Sequence, residues 1–172
     1  LDVRDENMVK NFFLNIRKTH GNVEEIYIND KLTRLGIKDI VNKVKKTDLV
    51  IMSMLVRIRM DKGISTIDDS HNQLISKIKK IKKPILAISF GSPYLPNYSD
   101  LDAYICTYGY GSISLNAGAN AILGKINIKG KLPVTLNNRY KIGDGITLSK
   151  KYSQFNKNSK NSINLDKAVE IL

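Results

Sequence analysis

Short apolar runs of the kind that form strands alternate along this chain with longer segments whose apolar residues recur at helical spacing. The strand-type runs are Val23–Ile28, Asp48–Val56, Ile85–Phe90 and Ala103–Tyr108. The second run reads DLVIMSMLV and is apolar almost throughout. A run of this kind is typical of a central strand whose two faces are both covered.

The helical segments each carry one apolar stripe, which predicts amphipathic helices that pack one face on a sheet. In chain order the stripes are Met8, Val9, Phe12, Phe13, Ile16; Ile37, Ile40, Val41, Val44; Leu74, Ile75, Ile78, Ile81; and Leu115, Ala119, Ile122, Leu123. Asp69 or Ser70 is predicted to cap the third helix, Ser112 to cap the fourth and Gly124 to end it. The alternation predicts an α/β fold, a three-layer α/β/α sandwich with a mostly parallel sheet.

The strand and helix patterns end near residue 148 and a polar segment follows, which predicts one domain over residues 1–148. Residues 149–162 read SKKYSQFNKNSKNS, a composition typical of a linker. The following INLDKAVEIL begins a new amphipathic pattern, so 149–172 is predicted to be a linker and the start of a further domain. The chain opens on a helix, although α/β domains normally open on a strand, and we expect a first strand or a whole domain upstream of Leu1.

The charge balance is strongly basic, with a net charge of +12 on 172 residues. Such a balance raises the question of nucleic acid or another polyanion as partner. However, 22 of the 28 basic residues are lysine, whereas base readout and phosphate clamping favour arginine. Nucleic acid is therefore not the predicted partner. All apolar runs fall short of the roughly 20 residues that span a bilayer, and no membrane segment is predicted.

Residues that usually form metal sites are scarce. Cys106 is the single cysteine and lies within an apolar run, which predicts a buried and inert thiol. His20 and His71 have no partner at metal-ligand spacing and are predicted to lie on the surface. No metal is predicted.

Two short motifs resemble a cofactor-binding or a catalytic motif, but neither matches the full pattern. The sequence GYG at 109–111 precedes a helix, but Ser114 stands where a dinucleotide fingerprint has its third glycine. Ser92 lies in FGSPY, which does not match a nucleophile elbow. No cofactor is predicted.

Four segments together resemble the C-terminal α/β-sandwich domain of family-three glycoside hydrolases, which include β-glucosidases and β-N-acetylglucosaminidases. They are DDSHNQLISKI (68–78), KPILAISFGSPY (83–94), LDAYICTYGYG (101–111) and AGANAILGKINIKGKLPVT (117–135). The likeness covers roughly Asp48–Gly145, with its pieces in the family's order. The GK…GKLPV element of the last segment is its most specific part.

The resemblance implies an accessory domain that is paired with a catalytic TIM-type barrel, which carries the aspartate nucleophile. In the β-glucosidase branch the acid/base glutamate comes from a loop of this domain, in the region before the helix at Asp69. This chain has only Asp61, Asp68 and Asp69 there, so it resembles the β-N-acetylglucosaminidase branch, whose acid/base His–Asp pair belongs to a barrel loop. The implied substrate is a terminal β-linked N-acetylglucosamine, hydrolysed with retention through a glycosyl-enzyme intermediate.

The residues of this chain expected nearest the sugar are Arg57, Arg59, Tyr94 and Tyr108, because they lie at or just past predicted strand ends, where a loop could face the barrel. Ordinary loop packing is the alternative for all four. The implied partners are the N-terminal catalytic barrel of the same polypeptide, the carbohydrate substrate of the parent enzyme and, as in some relatives, a downstream serine β-lactamase-like domain. The resemblance allows a periplasmic, secreted or cytoplasmic location.

Two other functions stay open from the residues alone. A free-standing module would bind a glycan or polyanion through its basic surface and would be polar except in a groove, whereas an accessory domain would expose an apolar face. The second of these functions is that the isolated domain is itself a hydrolase using Asp61, Asp68 and Asp69. No nucleophile with an activating base accompanies them, so the isolated domain is expected to be inactive.

Overall fold

The computed structural model describes residues 3–28, 32–56, 69–95, 100–150 and 168–171, and these ranges contain four helices and five strands. In chain order they are α1 (Val3–Arg17), β1 (Val23–Ile26), α2 (Arg34–Val44), β2 (Leu49–Val56), α3 (Asp69–Lys79), β3 (Ile85–Gly91), β4 (Ala103–Cys106), α4 (Ser112–Ile122) and β5 (Ala168–Ile171). The first eight lie where the apolar periodicity predicts them.

The described strands form one sheet in the order β1-β5-β2-β3-β4, and all neighbouring strands run parallel. The longest pairing joins β2 to β3, from Val50 opposite Ile85 to Val56 opposite Gly91. Of the eight residues of β2, seven are buried, as expected for a central strand in a sheet covered on both faces. The strand predicted from DLVIMSMLV therefore lies at the centre of the sheet.

One core lies between the sheet and the pair formed by α2 and α3. Its helical side chains include Ile40, Leu74 and Ile78, and its strand side chains include Met52 and Ile85. All five are buried. Because α2 and α3 pack against each other and share this core, they lie on the same face of the sheet.

A second core lies on the opposite face, under α1 and α4. Phe12 of α1 makes edge-to-face contacts with Phe13 and with Phe90 of β3, at ring-centroid distances of 5.5 and 5.3 Å. Ile88 and Phe90 belong to this core, whereas Ile85 of the same strand belongs to the first, as the two-residue period of a strand requires. Helices thus cover both faces, and the prediction of a three-layer α/β/α sandwich with a parallel sheet is confirmed.

The helix ends depend on contacts that periodicity does not show. The predicted cap Ser112 is wrong, because Gly111 is the N-cap residue of α4 and Ser112 is the first helical residue. The Ser70 hydroxyl accepts a hydrogen bond from the Leu32 amide at 2.9 Å, so it joins α3 to the segment before α2. Gly124 adopts a φ of 66° and ends α4 as predicted, since glycine tolerates this left-handed conformation.

The segment after α4, residues 125–150, folds back on itself without forming a regular strand. Ile128 and Leu148 exchange backbone hydrogen bonds of 2.8 and 2.9 Å, and the Leu132 amide donates to the Asp144 carbonyl at 2.7 Å. In the middle of this segment, Leu136 and Tyr140 pack against the core under α2 and α3. This segment therefore belongs to the same folded unit.

The predicted division at residue 148 stays a prediction, because residues 151–167, which include most of the predicted linker, lie outside the described residues. The tail nevertheless differs from the expectation of a new domain in one respect. Residues 168–171 form β5, which pairs with β1 on one side and β2 on the other. Strand pairing is a long-range contact, and the amphipathic pattern of INLDKAVEIL does not reveal it.

Candidate functional site

The carboxyl ends of β1 to β4 lie along one edge of the sheet, since the strands are parallel. We call this the carboxyl edge, and its described part comprises residues 27–28, 92–95 and 107–111 and the first turns of α2, α3 and α4. Open α/β sheets bind ligands at this edge. A ligand site in this fold is therefore expected at the carboxyl edge.

The end of β3 is held in a conformation that only glycine accepts easily. Gly91 has a φ of +108°, and a Cβ placed there would collide with the carbonyl oxygen of Val56 on the neighbouring strand. The Ser92 amide donates to that same carbonyl at 3.1 Å. The Ser89 hydroxyl, which is fully buried, donates to the Ser92 carbonyl at 2.5 Å. The backbone that leaves β3 is thus fixed by buried hydrogen bonds.

Three tyrosines lie on the two turns that follow β3 and β4. Tyr94, Tyr108 and Tyr110 have 44%, 40% and 46% of their surface exposed. The Tyr104 hydroxyl donates to the Pro93 carbonyl at 2.8 Å, which anchors the turn that carries Tyr94. Partly exposed rings on a fixed backbone are suited to contact a ligand or another protein domain.

Tyr108 and Tyr110 stand on either side of Gly109 in the turn between β4 and α4. Tyr108 adopts a φ of 56°, an uncommon conformation for a residue with a side chain. The Thr107 hydroxyl donates to the Gly109 carbonyl at 2.8 Å, and the Thr107 amide donates to the Ser89 carbonyl at 3.1 Å. Local hydrogen bonds and the adjacent strand therefore hold this turn in place.

Further apolar side chains are exposed along the same edge. Tyr27 follows β1, Leu35 lies in the first turn of α2 and Ile113 lies in the first turn of α4. Leu35 and Ile113 are 73% and 85% exposed. Together with the three tyrosines, they give the carboxyl edge an apolar and aromatic character.

Polar side chains also lie at this edge, among them Asp69, Ser70 and Thr107. His71 Nε2 and Asn72 Oδ1, in the first turn of α3, are buried atoms that have no hydrogen-bond partner within the described part of the chain. Buried polar atoms are normally paired.

The described residues do not assemble a catalytic centre. Burial raises the pKa of the Cys106 thiol, outweighing its hydrogen bonds with Tyr108 and Tyr104, so the thiolate that would act as nucleophile is disfavoured. Ser92 is fully buried, and its hydroxyl accepts a hydrogen bond from the Tyr94 amide at 3.4 Å. No group of three metal-ligating side chains occurs among the described residues. Both histidines are half-buried, so their predicted surface positions are only partly right.

The predicted sugar-proximal residues divide into two pairs. Tyr94 and Tyr108 do lie at the carboxyl edge, whereas Arg57 and Arg59 lie outside the described residues. The role of all four stays a prediction. Asp61 and Asp68 are also outside the described residues, while Asp69 opens α3 and is exposed.

Tyr110 is the edge residue that the sequence reasoning missed as a site candidate. Its ring lies close to the end of β3, with Cδ1 3.5 Å from where a Cβ on Gly91 would stand. The sequence held a signal, since GYG follows a strand and precedes a helix. The pattern predicts a tight strand-to-helix turn, and the structure adds that the ring of Tyr110 lies exposed at the carboxyl edge.

No helix in the parts of the chain that the structure describes combines the length and the hydropathy required to cross a membrane.

Comparison with known proteins agrees with the geometry. No curated protein matches the chain. The family described as Glycosyl hydrolase family 3 C-terminal domain matches residues 6–166, and the parallel sheet between helical layers fits the fold expected for it. A domain of this family is an accessory domain of a glycoside hydrolase, and its place in the family implies an N-terminal catalytic domain as partner. The chain belongs to the family of C-terminal domains of family 3 glycosyl hydrolases.

Proposed function

We propose that this domain serves a retaining, exo-acting β-N-acetylglucosaminidase by bracing the catalytic barrel through its carboxyl edge and walling part of the sugar pocket. The observation that carries the proposal is the set of exposed apolar and aromatic side chains at that edge. Its members are Tyr27, Leu35, Tyr94, Tyr108, Tyr110 and Ile113.

Six of the eleven large hydrophobic side chains that are exposed among the described residues lie at this edge. An apolar set at one edge of a domain favours a surface that another domain covers. Leu35 and Ile113 are the most exposed of the set, at 73% and 85%, and gain most from burial. They extend from the β1 side of the sheet to the start of α4. This breadth supports docking of a large partner over the edge, in contrast to the polar surface expected of a free-standing binding module.

The tyrosines support the proposed contact with sugar. Their rings present an apolar face, and their hydroxyls can hydrogen-bond to a polar ligand. Tyr94 and Tyr108 follow adjacent strands, β3 and β4, so both lie along one stretch of the carboxyl edge. Carbohydrate pockets that combine apolar faces with a few polar groups follow the general pattern of ligand sites.

The β-N-acetylglucosaminidase branch is supported by the absence of glutamate between residues 57 and 68 of the sequence. A retaining glycosidase needs an acid/base and a nucleophile that flank one glycosidic bond. On this proposal both belong to the catalytic barrel, and the present domain contributes no reacting group.

The experiment compares hydrolysis of p-nitrophenyl β-N-acetylglucosaminide and p-nitrophenyl β-glucoside by this chain and by the longer polypeptide with its catalytic domain. We expect turnover only by the longer polypeptide, with the N-acetylglucosaminide preferred. Turnover by the 172-residue chain alone would overturn the accessory role. Preference for the glucoside would overturn the assigned branch.

The pocket contact is tested in the longer polypeptide with Tyr94→Ala and Tyr108→Ala. Loss of one aromatic contact worth roughly 0.5–1.5 kcal/mol should raise KM about 2- to 10-fold. Phenylalanine at either position should bring KM most of the way back to the original value, because the ring is retained. Ile142→Ala is the matched control, since Ile142 is 67% exposed and lies in the segment after α4. An unchanged KM in both tyrosine variants would remove the pocket contact from the proposal.

A further inference from the structure

The amino ends of β1 to β4 lie at the end of the sheet opposite the carboxyl edge, together with the last turns of the helices. We call this end the amino edge and define it as residues 17–25, 43–48, 77–84, 100–102 and 123–125. These residues include eleven lysine and arginine side chains and five carboxylates. The amino edge is therefore basic, whereas the carboxyl edge is apolar and aromatic.

The register of β2 and β3 brings the lysines of two helix ends together. Val50 of β2 lies opposite Ile85 of β3, and the Val50 amide donates to the Pro84 carbonyl at 3.0 Å. The segments KVKKTD (43–48) and KIKKIKKP (77–84) therefore enter the sheet side by side, and they contain eight lysines and one carboxylate. Because α2 and α3 also pack against each other, these lysines belong to one surface.

Basic side chains border the sheet from the other helical layer as well. Arg17 and Lys18 are exposed at the end of α1, and Lys125 is exposed just after α4. Lys125 Nζ donates to Thr19 Oγ1 at 3.1 Å, which places the ends of α1 and α4 next to each other. The positive surface is thus broad, since it extends over the helical layers on both faces of the sheet.

The carboxylates neutralise only part of this charge. Three of them form ion pairs with N–O distances of 2.8 or 2.9 Å, namely Arg17–Glu25, Lys43–Glu24 and Lys79–Asp102. The other two are Asp48 and Asp100. Lys46, Lys80 and Lys82 are exposed, and their ammonium groups have no hydrogen-bond or ion-pair partner among the described residues. Their charge is directed to solvent.

Helix ends do not account for all of these lysines. A helix dipole favours cations only within the last turn, whereas Lys82 and Lys83 lie beyond α3, which ends at Lys79. Lys82 adopts a φ of 61°, a conformation for which glycine is the usual residue after a helix. The local backbone therefore gives no advantage to a lysine at this position.

The composition of the amino edge indicates which anionic partner fits it. Its ranges contain one arginine and no phenylalanine, tyrosine or tryptophan. Single-stranded nucleic acids stack on aromatic side chains, and base readout and phosphate clamping favour arginine. Lysine clusters without these features are attracted by the surface potential of anionic lipids. A planar surface also reaches basic side chains of both helical layers at once.

We infer that the amino edge binds the surface of a bilayer that contains anionic phospholipids, through charge and without insertion into the hydrocarbon. The carboxyl edge lies at the opposite end of the sheet, so the two surfaces can be occupied together. The inference rests on the distribution of charge and does not depend on the proposed glycosidase specificity.

Vesicle sedimentation with the longer polypeptide tests the inference in the absence of substrate. We expect binding to phosphatidylcholine vesicles that contain about 30% phosphatidylglycerol, and none to phosphatidylcholine alone. Raising the salt concentration from about 0.1 M to about 0.5 M should weaken binding, because the charges are screened. The triple variant Lys80→Gln, Lys82→Gly, Lys83→Gln should bind at least about tenfold more weakly. Its urea midpoint in the 172-residue chain should not fall, because glycine relieves the positive φ at Lys82.

The matched control removes three positive charges outside the amino edge, with Arg34→Gln, Lys38→Gln and Lys141→Gln. All three side chains are exposed, and this variant should stay within about threefold of the original affinity. Equal losses in the two triple variants would overturn the inference, since net charge alone would then act. Absence of binding to the anionic vesicles would also overturn it. So would tighter binding, per anionic group, to soluble polyphosphate than to vesicles, because the partner would then be a linear polymer.

Discussion

Single residues at the carboxyl edge depend on backbone geometry that their neighbours impose. Gly91 illustrates this, because both its positive φ and the adjacent Val56 carbonyl exclude a side chain. The requirement arises from the pairing of β2 with β3, which places Gly91 opposite Val56. A glycine at the end of an apolar run predicts a turn, but it does not reveal this close approach.

We therefore expect Gly91→Ala to destabilise the domain by roughly 2–4 kcal/mol, from backbone strain together with the collision at Val56. Gly143→Ala is the matched control. Gly143 also has a positive φ, 89°, but open space surrounds the position of its Cβ, so its cost should stay near 1 kcal/mol. Free energies of unfolding from urea titration compare the two variants. Equal losses would show that strain alone acts at Gly91.

Between elements, one carboxylate joins the end of α3 to the starts of β3 and β4. Asp102 Oδ1 lies 2.9 Å from Lys79 Nζ, and its Oδ2 accepts a hydrogen bond from the Ile85 amide at 2.9 Å. Partial burial would raise the pKa of Asp102, but the hydrogen bonds from Lys79 and Ile85 and the charge of Lys79 outweigh it and lower the pKa below its usual value.

A carboxyl whose pKa is lowered by folding stabilises the folded state above its unfolded pKa, about 3.9, and loses this contribution as pH falls through the folded value. Asp102→Asn should therefore lower stability above about pH 5, by no more than about 1 kcal/mol because the pair is partly exposed. The difference from the original protein should shrink towards pH 3.

Urea titrations between pH 3 and pH 7 measure this difference. Lys79→Met serves as a second variant and should weaken the same pH dependence, because it removes both the hydrogen bond and the charge that lower the pKa of Asp102. If the free energy of unfolding of Asp102→Asn ran parallel to that of the original protein from pH 3 to pH 7, Asp102 would not be the source of the pH dependence.

For the whole molecule, the two cores share one sheet and should unfold together. Phe12 is fully buried in the core under α1 and α4, so Phe12→Ala should cost about 3–5 kcal/mol. Leu14→Ala on the same helix is the control and should cost less than about 1 kcal/mol, since Leu14 is 43% exposed. Because the sheet joins the cores, the loss should appear in one transition detected equally by far-UV circular dichroism and tyrosine fluorescence. Two separated transitions would show that the cores are independent.

The sequence by itself determined the elements and the class of fold, because the apolar periods of strands and helices are local properties of the chain. The run DLVIMSMLV indicated a central strand, and the stripe of Phe12, Phe13 and Ile16 indicated a buried helix face. The resemblance carried by segments such as GKLPV correctly indicated the family.

Only the tertiary structure decided which strands are neighbours and which side chains meet at the carboxyl edge. Tyr94, Tyr108 and Tyr110 share that edge because β3 pairs with β4, and Gly111 rather than Ser112 caps α4 because of the turn that precedes it. The place of residues 168–171 between β1 and β2 follows from pairing across most of the chain. Such long-range pairings depend on the path of the whole backbone, which no local pattern of residues encodes.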